Sequence, residues 1–298
     1  MGDCFPWPEK RRELRNHHVD SRVWNRFKFR DGDIVIATYA KSGTTWTQQI
    51  VAELLFDDTE SLDLHALSPW IDFRLLSRKE VLREIAAQTH RRFVKTHLPV
   101  DALKFSPRAK YVYIGRDGRD VALSLYNHYA NGTDAMYRRL NDVPGRVGPA
   151  LPRPPSSPRQ YFREWLDGDG YPLWSFWENV RSWWEVRDLP NVLLLHFARL
   201  KRDLAGEIRR IACFLDIKID ETRFPLILDH CSFDYMKRRA AHFAPLSGAI
   251  WEGGATTFIN KGTNGRWRDV LSAEDSAAYE ERARAELGPV CTAWLANG

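Results

Sequence analysis

The stretch TYAKSGTTWTQQIV, residues 38–51, follows the apolar run DIVIA at 33–37 and decides the fold of the chain. A strand that ends in a Ser/Thr/Gly loop and opens a helix points several backbone N–H groups at one spot, where the helix dipole also favours an anion. The common nucleotide loop, G-x-x-x-x-G-K-[ST], places its lysine after the second glycine. Here Lys41 precedes a single glycine, Gly43. The stretch therefore predicts an unusual anion-binding loop, although a serine or threonine N-cap on an ordinary helix explains the same residues equally well.

The rest of the chain alternates strand and helix patterns. Short β-branched runs predict strands at 33–39, 91–97, 109–116 and 191–197. Strands that alternate with helices predict an α/β fold, with a central parallel sheet flanked by helices. Residues 143–160 are rich in proline, glycine and serine, and helical patterns on both sides of them lead back into the same sheet. We therefore expect a single domain over residues 1–298 with a mobile loop at about 143–160.

Two apolar stripes predict helices that pack on the sheet. The first lies in WSFWENVRSWWEVRD, residues 174–188, and is more typical of a core than of a ligand site. The second follows the fourth strand. The stripe residues are Trp174, Trp177, Val180 and Trp184 in the first helix, and Leu200, Leu204, Ile208, Ile211 and Leu215 in the second.

Composition restricts the class of partner. The net charge of +5 comes from 44 basic and 39 acidic residues, a mild excess that suits a small anionic ligand and does not favour nucleic acid. The four cysteines, at positions 4, 213, 231 and 291, form no C-x-x-C pair, so neither a disulfide framework nor a zinc cluster is expected. No apolar run has the length of a signal peptide core or a membrane span. We expect a reduced, cytoplasmic protein that binds no membrane.

Four segments together make the chain recognisable. TYAKSGTTW resembles the 5′-phosphosulfate loop of the cytosolic sulfotransferase family, usually written TYPKSGTTW, with Ala40 in place of proline. YVYIGRDGRDVALSLYNHY resembles the family's 3′-phosphate strand and helix, KTHLP its catalytic strand end, and FINKGTNGRWRDVLS its C-terminal R-K-G-x-x-G-x-W segment. They occur in the family's order over positions 38–272. The resemblance implies the P-loop-kinase-like sulfotransferase fold, 3′-phosphoadenosine 5′-phosphosulfate (PAPS) as co-substrate, and no metal.

The resemblance also implies roles for individual residues. Lys41 contacts the bridging region of PAPS and stabilises charge on the departing phosphate. Asn260 replaces the family's arginine beside the Lys-Gly pair, so that Arg266 or Arg268 is left to compensate. Phe197 and Cys231 stand where the family has a tyrosine and a threonine. The implied cofactor-binding residues are Lys41, Ser42, Gly43, Thr44 and Thr45 at the 5′-phosphate, Arg116, Ser124, Lys261 and Gly262 at the 3′-phosphate, and Trp46, Phe197 and Phe233 at adenine.

The predicted strand end at 91–97 carries a candidate base. Sulfuryl transfer, like phosphoryl transfer, depends on positioning and electrostatics, and an acceptor hydroxyl must also lose its proton. His97 lies at the carboxyl edge of the sheet, where open α/β sheets place ligands. Lys95, two residues earlier, projects from the same face of the strand. We expect His97 to take the proton and Lys95 to stabilise the sulfuryl or bridging oxygen, as the family's K-T-H-L-P match also implies. Taken alone, His97 is explained better as a capped strand end before Pro99.

Two other hypotheses about the function stay open. A P-loop small-molecule kinase is disfavoured by the missing G-K-[ST] and by the lack of an evident Mg²⁺ carboxylate. A catalytically inactive nucleotide-binding protein predicts damage at Lys41, Lys95 or His97, and all three are intact. The acceptor is expected to be a small hydroxyl- or amine-bearing molecule, apolar or phenolic, held by loops near 65–76, 127–160 and 233–255, with His128 as a candidate lining residue. The family's dimer motif, K-x-x-x-T-V-x-x-x-E, is matched poorly at 268–277, which leaves a homodimer open.

Overall fold

The computed structural model describes residues 6–298, so Cys4 lies outside the described residues. Four strands form one sheet in the order β2-β1-β3-β4, and every neighbouring pair is parallel. The predicted strands and their parallel arrangement are confirmed. The strands are β1 (Ile34–Thr38), β2 (Phe93–Thr96), β3 (Lys110–Gly115) and β4 (Val192–His196).

Helices cover both faces of the sheet. α14 is interrupted at Gly288, whose backbone is not helical, directly before Pro289. Four short 3₁₀ helices lie at Ser21–Asn25, Val100–Ala102, Pro245–Gly248 and Arg266–Asp269. The α-helices are α1 (Thr44–Leu55), α2 (Leu64–Leu67), α3 (Arg78–Ala87), α4 (Gly118–Ala130), α5 (Asp134–Asn141), α6 (Pro158–Asp167), α7 (Phe176–Glu185), α8 (Phe197–Arg202), α9 (Leu204–Phe214), α10 (Phe224–His230), α11 (Phe233–Arg238), α12 (Ala240–Phe243), α13 (Ala255–Phe258) and α14 (Ala273–Asn297).

The strands alternate between two apolar clusters. Val35 and Ala37 of β1 pack into the cluster that contains α7, whereas Ile34 and Ile36 pack into the cluster that contains α9. A strand that is buried on both faces needs an uninterrupted apolar run, which explains why DIVIA has no polar residue after its first position. The carboxyl ends of β1, β2 and β3 then meet at one edge of the sheet, where the predicted site residues follow.

Two of the predicted helices differ from the structure. The tryptophan helix begins at Phe176, because Ser175 caps it by accepting a hydrogen bond from the Glu178 N–H at 3.0 Å. Trp174 therefore precedes the helix. The fully buried tryptophans of the helix are Trp177 and Trp183, whereas Trp184 is half-buried. The helix after β4 is divided into α8 and α9 at Asp203, whose carboxylate accepts from the Gly206 N–H.

The proline- and glycine-rich segment has no helix or strand from 142 to 157, and α6 starts at Pro158 within the predicted range. Its mobility stays a prediction. In residues 6–298, no helix combines the length and apolar character that crossing a bilayer requires. Cys213, Cys231 and Cys291 are free thiols.

Candidate active site

A cavity of about 880 Å³ lies at the carboxyl edge of the sheet. It brings together nearly all of the residues that the sequence predicted. Ser42 is the exception, since its side chain is buried and is not part of the lining. The predicted residues that line the cavity are Lys41, Gly43, Thr44, Thr45, Trp46, Lys95, His97, Arg116, Ser124, Phe197, Phe233, Lys261 and Gly262.

The loop between β1 and α1 needs its glycine. Gly43 is the N-cap of α1 and has a φ of 113°, a region that side chains rarely adopt. A Cβ at this position would lie 3.0 Å from the Phe197 ring and 3.1 Å from Ile114. The glycine therefore lets the loop turn tightly, and the first N–H groups of α1 are left without helical partners at the cavity wall.

Two lysines line this part of the cavity, Lys41 from the loop itself and Lys95 from β2. The Lys41 ammonium lies 3.5 Å from Nδ1 of His128 and 4.6 Å from the centre of the Phe258 ring. Burial, with the nearby charges of Arg116 and Lys95, lowers the pKa of Lys41 to about 7. Burial also lowers the pKa of Lys95 to about 8, while the carboxylate of Asp72 opposes the shift. Both shifts arise because the cations are removed from water.

Arg116 contributes a third buried cation. Its guanidinium donates to the carbonyls of Lys41 and Thr263, both at 3.0 Å, and lies 4.2 Å from the centre of the Phe197 ring. Its Nε is buried and has no hydrogen-bond partner among the described residues. Burial lowers the pKa of Arg116. Within residues 6–298, Lys41, Lys95 and Arg116 form no salt bridge with a carboxylate. The carboxylates of Asp120 and Asp117 act on Arg116, and that of Asp72 on Lys95, without forming ion pairs. The three cations together therefore favour an anionic ligand.

His97 is held in one orientation. Its Nδ1 lies 2.9 Å from the carbonyl of Thr38 and 3.0 Å from the Thr38 hydroxyl. A proton on Nδ1 satisfies the carbonyl, which leaves Nε2 as the acceptor nitrogen. Trp70 meets the imidazole edge-on, and Trp174 stacks on it. Burial, together with the charge of Lys95, lowers the pKa of His97 to about 3, so the ring is neutral at pH 7 and can take a proton.

The C-terminal segment is bound to α4 by two side chains. Asp117 caps α4 by accepting from the Arg119 N–H. The two carboxylate oxygens of Asp120 accept from the Gly265 N–H at 2.8 and 3.0 Å. Arg119 lies 3.7 Å from the Trp267 ring centre and 4.8 Å from that of Tyr279. These contacts fix residues 261–267 at the cavity wall.

Aromatic side chains form the far end of the cavity. Trp46 donates from Nε1 to the carbonyl of Cys231 at 2.7 Å and meets Phe197 with ring centres 5.4 Å apart. A Cβ at Gly262 would lie 2.3 Å from the Phe233 ring, so only glycine allows the C-terminal segment to pass so close. The ammonium of Lys201 lies 5.5 Å from the Phe233 ring centre.

The end nearest His97 is apolar and comes from several loops. As expected, residues of 65–76, 127–140 and 233–251 contribute, and His128 is among them. None of residues 141–160 lines this cavity, so the predicted loop is too long at that point. The apolar and aromatic lining here comprises Trp70, Phe73, Leu75, Leu76, Leu125, Tyr129, Met136, Leu140, Trp174, Leu246, Ile250, Trp251 and Phe258.

Four functional side chains were missed by sequence reasoning. Thr38 orients His97, Asp120 fixes the C-terminal segment, and Trp174 covers the imidazole. Asp72 is buried and accepts from Thr96 and from the Nε1 atoms of Trp24 and Trp70; burial raises its pKa to about 6. Thr38 and Asp120 lie within two of the segments that resemble the family, so the sequence could have indicated them. No local sequence pattern around Asp72 or Trp174 indicates a role.

The described part of the chain contains no group of three or more His, Cys, Asp or Glu side chains that could hold a metal ion. This finding leaves the predicted metal independence as a prediction.

Comparison with known proteins assigns the class. Residues 31–290 match the family described as the sulfotransferase domain. A glycolipid sulfotransferase from Mycobacterium bovis is 32% identical over 307 residues, covering 95% of this chain and 94% of the relative. Sulfotransferase 1B1 of Mus musculus is 31% identical over 289 residues, covering 90% of this chain and 89% of the relative. The crystal structure of a mouse sulfotransferase complexed with PAP has a TM-score of 0.71 at 23% identity and covers 92% of both chains.

The chain therefore belongs to the sulfotransferase family, as the four segments predicted. Its fold is the sulfotransferase fold. The alternative interpretation as a P-loop kinase is wrong, because the family and the relatives are sulfotransferases.

Proposed function

We propose that the protein transfers the sulfuryl group of PAPS to a hydroxyl or amine of a small, largely apolar acceptor. One observation carries the proposal: three buried cations that form no salt bridge within residues 6–298 share one cavity with the Nε2 atom of His97. PAPS supplies the activated sulfuryl group and the anionic charge that such a site needs. The PAP that accompanies the mouse neighbour and the name of the mycobacterial relative support this choice of reaction.

The loop end of the cavity is assigned to the 5′-phosphosulfate. Gly43, Thr44 and Thr45 offer backbone N–H groups at the start of α1. Ser42 shapes the loop instead, because its side chain is buried and its N–H donates to the Tyr39 carbonyl at 3.3 Å. Lys41 adds a full charge beside the bond that breaks. A bound anion would return the pKa of Lys41 from about 7 towards its usual range.

The 3′-phosphate is assigned to Arg116, Ser124, Lys261 and the Gly262 backbone. Arg266 supplies the charge that Asn260 lacks. It lines the cavity and lies near enough to lower the pKa of Arg116, whereas Arg268 is not part of the lining and lies over the Trp267 ring, 4.4 Å from its centre. Trp46, Phe197 and Phe233 hold adenine by stacking.

The catalytic step is assigned to His97 and the two lysines. His97 accepts the acceptor proton on Nε2 as the acceptor oxygen bonds to sulfur and the bond between sulfur and the bridging oxygen breaks. Lys95 stabilises the sulfuryl oxygens, and Lys41 stabilises the charge that stays on the phosphate of the leaving PAP. Trp70 and Trp174 exclude water around the imidazole, which strengthens each of these interactions.

The acceptor is proposed to be a phenol, an apolar alcohol or an amphiphile with a hydroxyl group. Aromatic and aliphatic side chains dominate the end of the cavity near His97. Leu76 and Leu246 remain 41% and 53% exposed and line this end, so apolar surface extends to its opening. Such an opening suits an apolar body that projects beyond the cavity. The cytoplasmic location and the dimer stay predictions.

Thermal unfolding with three ligands tests the proposal. PAP should raise the unfolding midpoint strongly, because a ligand that binds only the folded state stabilises it by mass action. AMP should do so weakly, since it lacks the 3′-phosphate, and ATP with Mg²⁺ should not exceed AMP. A dominant response to ATP with Mg²⁺ would contradict the assignment. Sulfate transfer from PAPS to a panel of phenols, alcohols and amines then tests turnover, and its absence would favour an inactive nucleotide-binding protein.

A further inference from the structure

A second cavity, of about 390 Å³, lies beside the acceptor end of the first and shares Phe73 and Leu76 with it. Apart from Asp72, none of its polar residues has a role in the proposed reaction or in cofactor binding. We call it the arginine basin and define it by its four lining arginines. They are Arg15, Arg22, Arg74 and Arg78.

The basin has an excess of positive charge. Two carboxylates face the four arginines, those of Asp20 and Asp72, and Asp72 is turned away towards Trp24, Trp70 and Thr96. The carboxylate of Asp20 pairs with Arg22, whose Nε and Nη2 donate to it at 2.8 and 2.6 Å. Arg15 and Arg78 lie 3.9 Å from Asp20, beyond hydrogen-bond distance. Within residues 6–298 the two side chains pair with Asp20 by charge and not by a hydrogen bond, so their N–H groups can donate to a bound anion.

Arg74 is the one of the four with a buried guanidinium nitrogen that lacks a partner within residues 6–298. Its backbone N–H donates to the carbonyl of His18 at 2.7 Å, which fixes the residue to the wall of the acceptor cavity. Its Nη2 donates to the Pro144 carbonyl at 3.3 Å, but Nη1 is buried and has no partner within residues 6–298. Burial and the charge of Arg15 lower the pKa of Arg74, and Arg146 adds to the repulsion. A buried guanidinium atom without a partner costs free energy unless a ligand satisfies it.

The start of α3 faces the same space. Ser77 is the N-cap of this ten-residue helix, and both Ser77 and the first helical residue, Arg78, line the basin. The helix dipole therefore adds partial positive charge to that of the arginines. Glu80 lies in the first turn of α3 but does not line the basin.

The geometry points to a binding site for a phosphate or sulfate-ester group in the arginine basin. Guanidinium groups bind phosphate oxygens through paired hydrogen bonds, and a helix N-terminus binds the same tetrahedral anions. Because Phe73 and Leu76 form the wall between the two cavities, an acceptor with its hydroxyl near His97 can pass over Leu76 and place an anionic group here. A free phosphate or sulfate ion has the same chemistry and is the other source.

Binding of inorganic phosphate to the PAP-saturated protein tests the site, because PAP occupies the cofactor phosphate positions. Phosphate should raise the unfolding midpoint beyond matched sodium chloride. Arg15→Gln/Arg78→Gln should weaken phosphate binding about tenfold or more, since two charge-assisted hydrogen bonds are lost. Arg209→Gln/Arg284→Gln removes the same charge from two surface arginines that pair with Glu221 and Glu280, and should bind phosphate as the wild type does. Arg74→Gln provides an independent test of the buried guanidinium.

No stabilisation by phosphate above that of chloride, or equal stabilisation in the wild type and in both basin variants, would overturn the site. The same titration without PAP keeps the test readable if PAP itself fails to bind, a result that contradicts only the proposed function. A long-chain diol and its monophosphate, used as acceptors, distinguish an anionic group of the acceptor from a free ion as the ligand of the basin. This experiment rests on the proposed function. If KM rises in the basin variants for the monophosphate only, the basin binds the phosphate of the acceptor. If neither KM value changes, the basin binds a free ion.

Discussion

The two ends of the main cavity are built differently. The cofactor end consists of short continuous motifs: residues 41–46 turn into α1, Arg116 precedes α4, and residues 261–266 are fixed to Asp120. The acceptor end is assembled from at least four separate segments, and its lining is mainly apolar. A charged ligand of fixed shape requires backbone N–H groups and cations at set positions, so the sequence must preserve local spacing. An apolar ligand requires only volume and surface, which many combinations of side chains provide.

The largest loss of turnover is expected from a change at His97, which lies between the two ends of the cavity. His97→Ala should lower kcat by about 10²- to 10⁴-fold, the usual contribution of a positioned base. PAP affinity should change little, because the proposed mechanism places the imidazole against the acceptor rather than the nucleotide. Steady-state kinetics with PAPS and calorimetry with PAP measure the two effects.

His65→Ala is the matched control for that variant. His65 lines the same cavity, but its Nε2 lies 3.1 Å from the Phe243 carbonyl. Its loss should leave most of the turnover intact. If His97→Ala retained turnover while His65→Ala lost it, the base would have to be reassigned.

Lys41→Ala should damage both binding and rate. A charge-assisted hydrogen bond to the phosphosulfate contributes about 1.5–3 kcal/mol, which corresponds to about 10- to 100-fold in PAP affinity. Turnover should fall further, because Lys41 also stabilises the departing phosphate. Lys104→Ala, at an exposed position, serves as the control. An unchanged PAP affinity in Lys41→Ala would show that the cofactor end does not depend on charge.

The pH dependence of PAP binding tests the same cation without removing it. The pKa of Lys41 in the ligand-free protein is about 7, and a bound anion raises it. Below that pH both states carry the proton, so Lys41 adds no pH dependence. Above it the free protein has lost the proton and must regain it on binding, so PAP affinity should fall by up to about tenfold per pH unit.

Lys41→Arg removes this source of pH dependence while keeping a positive charge, since arginine stays protonated. Its PAP affinity should fall less steeply with pH than that of the wild type. Calorimetry in two buffers with different ionisation enthalpies measures the proton uptake directly. Equal slopes in the two proteins would exclude Lys41 as the titrating group.

The limits of sequence reasoning follow the same division. The strands, their parallel arrangement and most of the residues that line the cofactor end of the cavity were predicted. Buried strands are continuous apolar runs, and anion loops have fixed spacing. Trp174 was assigned to a helix because its spacing is periodic, but the Ser175 cap starts the helix after it. Asp72 gave no signal, since its role depends on Trp24, Trp70 and Thr96 from other parts of the chain. Long-range packing of this kind has no local pattern.

Arg266→Gln and Arg268→Gln test which arginine at the cofactor end supplies the charge that Asn260 lacks. Arg266 lines the cavity and influences Arg116, whereas Arg268 lies over Trp267. Arg266→Gln should weaken PAP binding about three- to tenfold, less than Lys41→Ala, because its side chain remains partly in water. Its AMP affinity should be unchanged, since AMP has no 3′-phosphate. A larger effect from Arg268→Gln would reverse the assignment of the compensating arginine.

Leu76→Ala tests the acceptor end, and its effect should be the smallest. The side chain is 41% exposed at the cavity opening, so truncation removes only part of its contact with an apolar acceptor and costs little folding stability. At about 25 cal/mol per Å² of apolar surface, the lost contact predicts an increase in KM of about two- to fivefold for an apolar acceptor. PAP affinity and kcat should stay constant, because no group at the cofactor end moves. A change in PAP affinity would instead mean that the two ends are coupled, and that the apolar opening takes part in holding the nucleotide.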